Sequence, residues 1–269
     1  EKRVITKLTL TTSLLTALLA PPAWSHIEEQ KKQAVELGLR TPVQFIGHKL
    51  KTFSIEERLK HHKIPGLSFA LINEGKIEWA SGYGQLDAEE GKPVTSQTLF
   101  QAASIAKPVT AFAIMKMQEA GALKLDVDIQ DYLTQFRLPE GKQSKDNPVT
   151  FENLLAHTSG ITPGGYLGYE LGAAIPSDEQ TLLGEKPAAT HEAKVEFVPG
   201  TGVHYSGAGY TLAELALQDI FNLPFSTLMQ DWTLKDLKMT GSTLEQNPAR
   251  LNKTNIALAH KQDGTAISG

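Results

Sequence analysis

Two apolar runs around a tight turn, followed by a long helical stretch, most constrain the fold of this 269-residue chain. Residues 67–72 (Leu-Ser-Phe-Ala-Leu-Ile) and 76–84 (Lys-Ile-Glu-Trp-Ala-Ser-Gly-Tyr-Gly) flank Asn73-Glu74-Gly75, and the second run alternates in polarity. A period of two puts one face on a core and the other in water, so the pair predicts a β-hairpin. Two strands alone are marginal and need further strands or a helix over their apolar face. Residues 108–117 (Pro-Val-Thr-Ala-Phe-Ala-Ile-Met-Lys-Met) predict an apolar helix running on to Gly121. Antiparallel strands ahead of a helical region predict an α+β fold. The expected architecture is an antiparallel sheet flanked by helices, with a mostly helical lobe over about 110–204.

Local signals punctuate the rest. Ser54-Ile55-Glu56-Glu57 has the pattern of a capping box, and its short helix should stop near Pro65-Gly66. Residues 150–160 (Thr-Phe-Glu-Asn-Leu-Leu-Ala-His-Thr-Ser-Gly) predict a short capped helix closed by Gly160. Residues 161–176 are Gly-rich and predict a loop, Ser177 to Gln180 offers a second capping box, and Pro199-Gly200-Thr201-Gly202 is a turn. Beyond it, Tyr205-Ser206-Gly207 leads into a helix with Leu212, Leu215, Ala216 and Ile220 on one face.

Residues 1–25 are expected not to belong to the fold. Lys2, Arg3 and Lys7 form a basic head, residues 8–20 an apolar run, and Ala23-Trp24-Ser25 a small-x-small cleavage site. That is the pattern of a secretory signal peptide, with an apolar run too short to span a bilayer. Export to a periplasm or the medium is expected, with no stable membrane insertion after cleavage. Cysteine is absent, which excludes disulfides and thiol catalysis. Removing residues 1–25 takes away three basic residues and one acidic one, moving the net charge from −4 to −6. Such acidity argues against a nucleic-acid partner. The 244 residues 26–269, in a chain 41% hydrophobic, suffice for one large domain. His61, His62, His157, His191 and His204 lack metal-ligand spacing, so no metal and no cofactor is expected.

The chemistry concentrates at Ser104-Ile105-Ala106-Lys107. Residues three apart on a helix share a face, so the Lys107 amine can reach the Ser104 hydroxyl. Serine is a weak nucleophile until a neighbouring group takes or polarises its proton. The bland alternative is a surface lysine one turn past a capping serine. Against it, Ser104 is the only serine with lysine at +3, and the flanks are apolar and small instead of acidic. Pro108 is tolerated within the first turn, which puts Ser104 at the positive end of its helix.

These residues resemble the class C β-lactamase and DD-carboxypeptidase-like serine hydrolases, with the β-lactamase-related esterases and peptidases. The similarity runs from about Ser54 to the end of the chain. It rests on Lys63-Ile64-Pro65-Gly66, the stretch from Phe100 to Lys107, the 154–160 segment, and Tyr205-Ser206-Gly207 where the family carries Tyr-x-Asn. The resemblance implies hydrolysis of an ester or amide (a β-lactam, a D-amino-acid peptide or a carboxylic ester) through an acyl-Ser104 intermediate. Lys107 and Tyr205 would share the proton transfer, and Gln101 and Gly207 would be substrate-binding. A phenolate at Tyr205 needs a cation beside it, while a neutral Lys107 needs desolvation or a neighbouring like charge, so either could be the base. Gly207 replaces the family asparagine. The family's third motif, Lys-Thr-Gly or His-x-Gly, has no match after Tyr205; Lys253-Thr254-Asn255 lacks the glycine. The expectation is a chain lacking the later strands and closing helix. The alternative function is a non-catalytic envelope binding or regulatory protein that retains the fold.

Overall fold

The computed structural model describes residues 23–88, 91–170, 172–246 and 255–267. Residues 1–22 of the expected signal peptide, with Lys253 and Thr254, lie outside the described residues. The chain divides into two compact units, one of residues 1–58 and 70–80 and the other of residues 59–69 and 81–269.

In the first unit, helix α1 (Ala23–Glu36) runs through the expected cleavage site. Lys31 Nζ donates to Glu78 Oε1 at 3.1 Å, and Asn73 Nδ2 donates to the same oxygen at 2.9 Å. Leu39 and Phe53 form an antiparallel bridge. Helix α2 (Ile55–His62), whose residues are shared between the two units, opens with the expected capping box: the Glu57 amide donates to Ser54 Oγ at 3.0 Å, and the Ser54 amide to Glu57 Oε2 at 2.8 Å. Strands β1 (Gly66–Asn73) and β2 (Lys76–Gly84) form the expected hairpin, which contributes residues to both units. Its two turn residues, Glu74 and Gly75, both have positive φ (48° and 72°), the geometry that matches strand twist in a two-residue hairpin.

The second unit holds the core. Helix α3 (Ala106–Glu119) follows a single 3₁₀ turn, Ala103–Ile105. Helix α4 (Phe151–Leu155) is capped by Thr150 Oγ1, which accepts the Asn153 amide at 3.2 Å. Strand β3 (Ile161–Thr162) pairs antiparallel with β4 (Lys194–Val195), Ile161 opposite Val195. Between them, α5 (Asp178–Leu183) begins at the second expected capping box, Ser177 with Gln180. Helices α6 (Gly207–Phe221) and α7 (Phe225–Met229) follow, then the antiparallel pair β5 (Ala259–His260) and β6 (Ala266–Ile267). Ala113, Ile114 and Met117 of α3 pack in one buried cluster with Phe151, Leu154, Leu182, Leu212, Leu217 and Met229. Each large aliphatic side chain so buried contributes about 1.5–3 kcal/mol, so α3 is fixed by its apolar face. Among the described residues no helix is long and apolar enough to cross a membrane.

Two sequence expectations are corrected. Helix α4 is closed by His157, at φ +58°, and not by Gly160. The His157 and Thr158 carbonyls are taken by the His204 and Gly200 amides at 2.7 and 2.8 Å, so tertiary bonds hold His157 in the left-handed region. Gly160, at φ +72°, serves a close approach instead: a Cβ there would stand 2.1 Å from the Phe197 carbonyl oxygen. The loop expected over 161–176 begins with strand β3. Asn255, which stands where a Lys-Thr-Gly motif would require glycine, accepts at Oδ1 from Thr98 Oγ1 at 2.7 Å, and Ile256 pairs parallel with Leu99. It thereby anchors the segment leading to Ser104.

Candidate functional site

The sharp turn into α3 presents Ser104. Ala103, immediately before it, has φ +44°, a conformation costly for a residue with a Cβ and the kind of local strain that clusters at functional sites. Ser104 is exposed, and it lies in the first turn of the helical segment, where backbone amides have no intrahelical acceptor. Lys107, one turn on and half-buried, donates from Nζ to Ser104 Oγ at 3.2 Å. The i, i+3 geometry expected of the tetrad is therefore present.

Tyr205 comes to the same place from the loop ahead of α6. Lys107 Nζ lies 5.0 Å from the centroid of its ring and 5.5 Å from that of Tyr210. Hydrogen bonding from Lys107, and then from Ser104, holds the Tyr205 phenol below its ordinary value of 10. With Tyr205 about half exposed, at 53%, that influence acts at a solvent-accessible oxygen. Ser104, Lys107 and Tyr205 are thus brought together, from positions as much as 101 apart in the sequence.

The backbone around Tyr205 is tightly held. Ser206, fully buried at 1% exposure, caps α6 by accepting the Gly209 amide at Oγ, 2.8 Å away. The Gly207 and Ala208 amides donate to the carbonyls of Gly164 and Pro163 at 2.9 and 3.2 Å. A Cβ on Gly207 would meet Gly164 O at 3.0 Å and Gly165 Cα at 3.2 Å, so glycine permits this backbone-to-backbone contact. Gly207 is accordingly buried and packed on the 164–165 segment, whereas Gln101 is exposed.

Two further side chains adjoin the trio, His157 and Tyr210. The His157 ring lies 4.3 Å from that of Tyr205 at an interplanar angle of 33°, and its Nδ1 accepts the Ser206 amide at 3.0 Å. Burial, and then the charge of Lys107, hold His157 below its ordinary 6.5. Tyr210 stands 5.4 Å from the same imidazole. Its position in the first turn of α6 was a usable signal, since that end of the helix adjoins Tyr205. The arrangement offers a hydroxyl, a cation touching it, an acidified phenol, and a helix-start amide positioned to receive negative charge.

The family model described as Beta-lactamase matches residues 54–265. Protein flp of Staphylococcus aureus (strain MRSA252) is 28% identical over 193 residues, 72% of this chain and 37% of that protein. Esterase EstB of Burkholderia gladioli is 30% identical over 157 residues, 56% of this chain and 40% of the esterase. Among solved structures, the octameric penicillin-binding protein homologue from Pyrococcus abyssi superposes with a TM-score of 0.61 at 25% identity, covering 79% of this chain and 48% of that one. The chain therefore spans less than half the length of each of these proteins.

Proposed function

Because the chain belongs to the Beta-lactamase family, we propose that it carries the nucleophile of a serine hydrolase that cleaves an ester or amide through an acyl-Ser104 intermediate. The observation that supports this reading best is the 3.2 Å contact of Lys107 Nζ with Ser104 Oγ, with the Tyr205 ring 5.0 Å from the same nitrogen. In the forward step, Tyr205 as phenolate takes the Ser104 proton while Oγ bonds to the substrate carbonyl carbon. The carbonyl π electrons move to oxygen, and the Ser104 amide at the start of its helical turn stabilises that oxyanion. Collapse of the oxyanion expels the leaving group, which takes the proton from Tyr205. Water then attacks the acyl carbon, loses its proton to Tyr205, and Ser104 leaves with that proton. Lys107 remains a cation throughout, which is what favours the phenolate. No cofactor enters the scheme.

The likeness to Esterase EstB supports a carboxylic ester as first substrate to try. Hydrolysis of a nitrophenyl ester by the wild-type chain and by Ser104→Ala tests the proposal, with a chromogenic cephalosporin and a D-alanyl peptide as parallel substrates. Turnover of any of the three should fall by about 10³-fold or more in the variant, the scale on which a covalent nucleophile contributes. Turnover unaffected by the substitution would overturn the assignment, and failure of Ser104 in the folded chain to take up any acylating probe would favour a non-catalytic envelope protein. We also propose export, as the pattern of residues 1–25 suggests.

A further inference from the structure

His157 carries an arrangement that the proposed chemistry does not use. It is neither nucleophile nor base in that scheme, yet three parts of it are bound to the segment that delivers Tyr205. Its carbonyl accepts the His204 amide at 2.7 Å, its Nδ1 accepts the Ser206 amide at 3.0 Å, and its ring lies 4.3 Å from the Tyr205 ring. Residues 204, 205 and 206 are thus each held by a different part of one side chain or its backbone.

We propose that His157 is the positioning residue of this site: a neutral imidazole that fixes the Tyr205 phenol against Lys107 and Ser104 by clamping the backbone on either side of Tyr205 and packing on its ring. The inference rests on the acyl-Ser104 reading only for its effect on turnover; the placement of Tyr205 can be read independently.

The protonation state follows from the donor. A backbone amide can only donate, so Nδ1 must be unprotonated and the ring proton sits on Nε2. The titratable groups facing the ring are Lys107 from α3, Tyr205 from the preceding loop and Tyr210 from α6. Burial and the Lys107 charge keep the imidazole neutral, consistent with the bond geometry. Neutrality matters to the trio. Protonated Nδ1 would lose the Ser206 bond, and with it one half of the clamp on the backbone at Tyr205. The left-handed backbone at φ +58° also narrows which side chains can replace histidine, since asparagine tolerates this region better than most residues.

The test uses the full chain with His157→Ala, which removes both side-chain contacts, and His157→Asn, whose Oδ1 can accept the Ser206 amide in place of Nδ1. Four quantities are measured: kcat and KM for the ester, the melting temperature, and the titration of Tyr205 from tyrosinate absorbance after subtracting Tyr205→Phe. In His157→Ala, kcat should fall by about 10²-fold, the scale of a misplaced catalytic group, with KM changed less than about threefold. The Tyr205 titration should move up toward its ordinary value of 10 as the phenol leaves Lys107. His157→Asn should recover at least about tenfold in kcat and return part of the titration shift, as a restored positioning bond requires. Should His157→Ala fail to melt cooperatively, His157→Asn decides the matter through the same two readouts. A folded variant with kcat and the Tyr205 titration both unchanged would overturn the proposal. Turnover that survives Ser104→Ala would overturn the acyl-serine reading instead, while the tyrosinate titration would still report on His157.

Discussion

At the scale of the residue, chemistry turns on how Lys107 is shared. Its ammonium touches Ser104 Oγ at 3.2 Å and faces the Tyr205 ring at 5.0 Å, so one cation serves both the proposed nucleophile and its proposed proton acceptor. Groups that act as a unit lose activity non-additively. Lys107→Ala and Tyr205→Phe should each slow acylation of Ser104 by about 10²–10⁴-fold, the range of general-base contributions. The double variant should be no more than about tenfold worse than the poorer single one; stopped-flow acylation would measure this, and fully additive losses would separate the two roles. The pH dependence has a definite sign. Tyr205 is acidified chiefly by Lys107, so acylation should rise with pH through a value below 10, and removing Lys107 should move that rise to higher pH. Much of this was legible in the sequence. Ser104 and Lys107 are three residues apart, and helical geometry alone joins them. His157 was not, because its bond to the Ser206 amide spans 49 positions and no local periodicity carries that information.

Elements follow the same division between local and tertiary causes. The starts of α2, α4 and α5 were legible because each is a bond within four residues: Ser54 with Glu57, Thr150 with Asn153, Ser177 with Gln180. The end of α4 was not, because His157 is held at positive φ by partners in the 200–204 segment. The α5–α6 contact raises a separate question of charge. Gln218 Nε2 donates to Asp178 Oδ2 at 2.7 Å, and burial, then the nearby Asp178, push the Glu214 carboxyl up to about 8. Burial likewise raises Asp178. A carboxyl whose folded pKa is raised contributes stability that is complete below its unfolded value, here 4.5, and is lost as pH rises to about 8. Glu214→Gln removes that dependence. The variant should be more stable than wild type at neutral pH, by about 1–3 kcal/mol at 1.36 kcal/mol per pH unit, and nearly equal to it near pH 4. Denaturant melts at the two pH values check this, and an advantage that is the same at both would contradict it.

For the whole molecule, the α+β layout was legible from the hairpin and the apolar helix behind it, while the extent of the sheet was not. Strand pairs such as Ile161 with Val195 join positions 34 apart through two residues on each side, too short for alternation to register. The family supplies what pattern could not, since its model covers residues 54–265, a span that includes Ser104, Lys107 and Tyr205. Residues 1–25 lie ahead of that match, and the export proposal predicts that material recovered outside the cytoplasm begins within a few residues of His26. Edman sequencing or intact mass checks it; an uncleaved amino terminus would contradict it. The central claim is that Ser104 is acylated. Intact and peptide mass spectrometry after exposure to a fluorophosphonate or a penicillin tests it most directly. The account predicts one added probe mass on the peptide containing Ser104, lost in Ser104→Ala and strongly slowed in Lys107→Ala. Labelling that persists in Ser104→Ala, or falls on another residue, would contradict it.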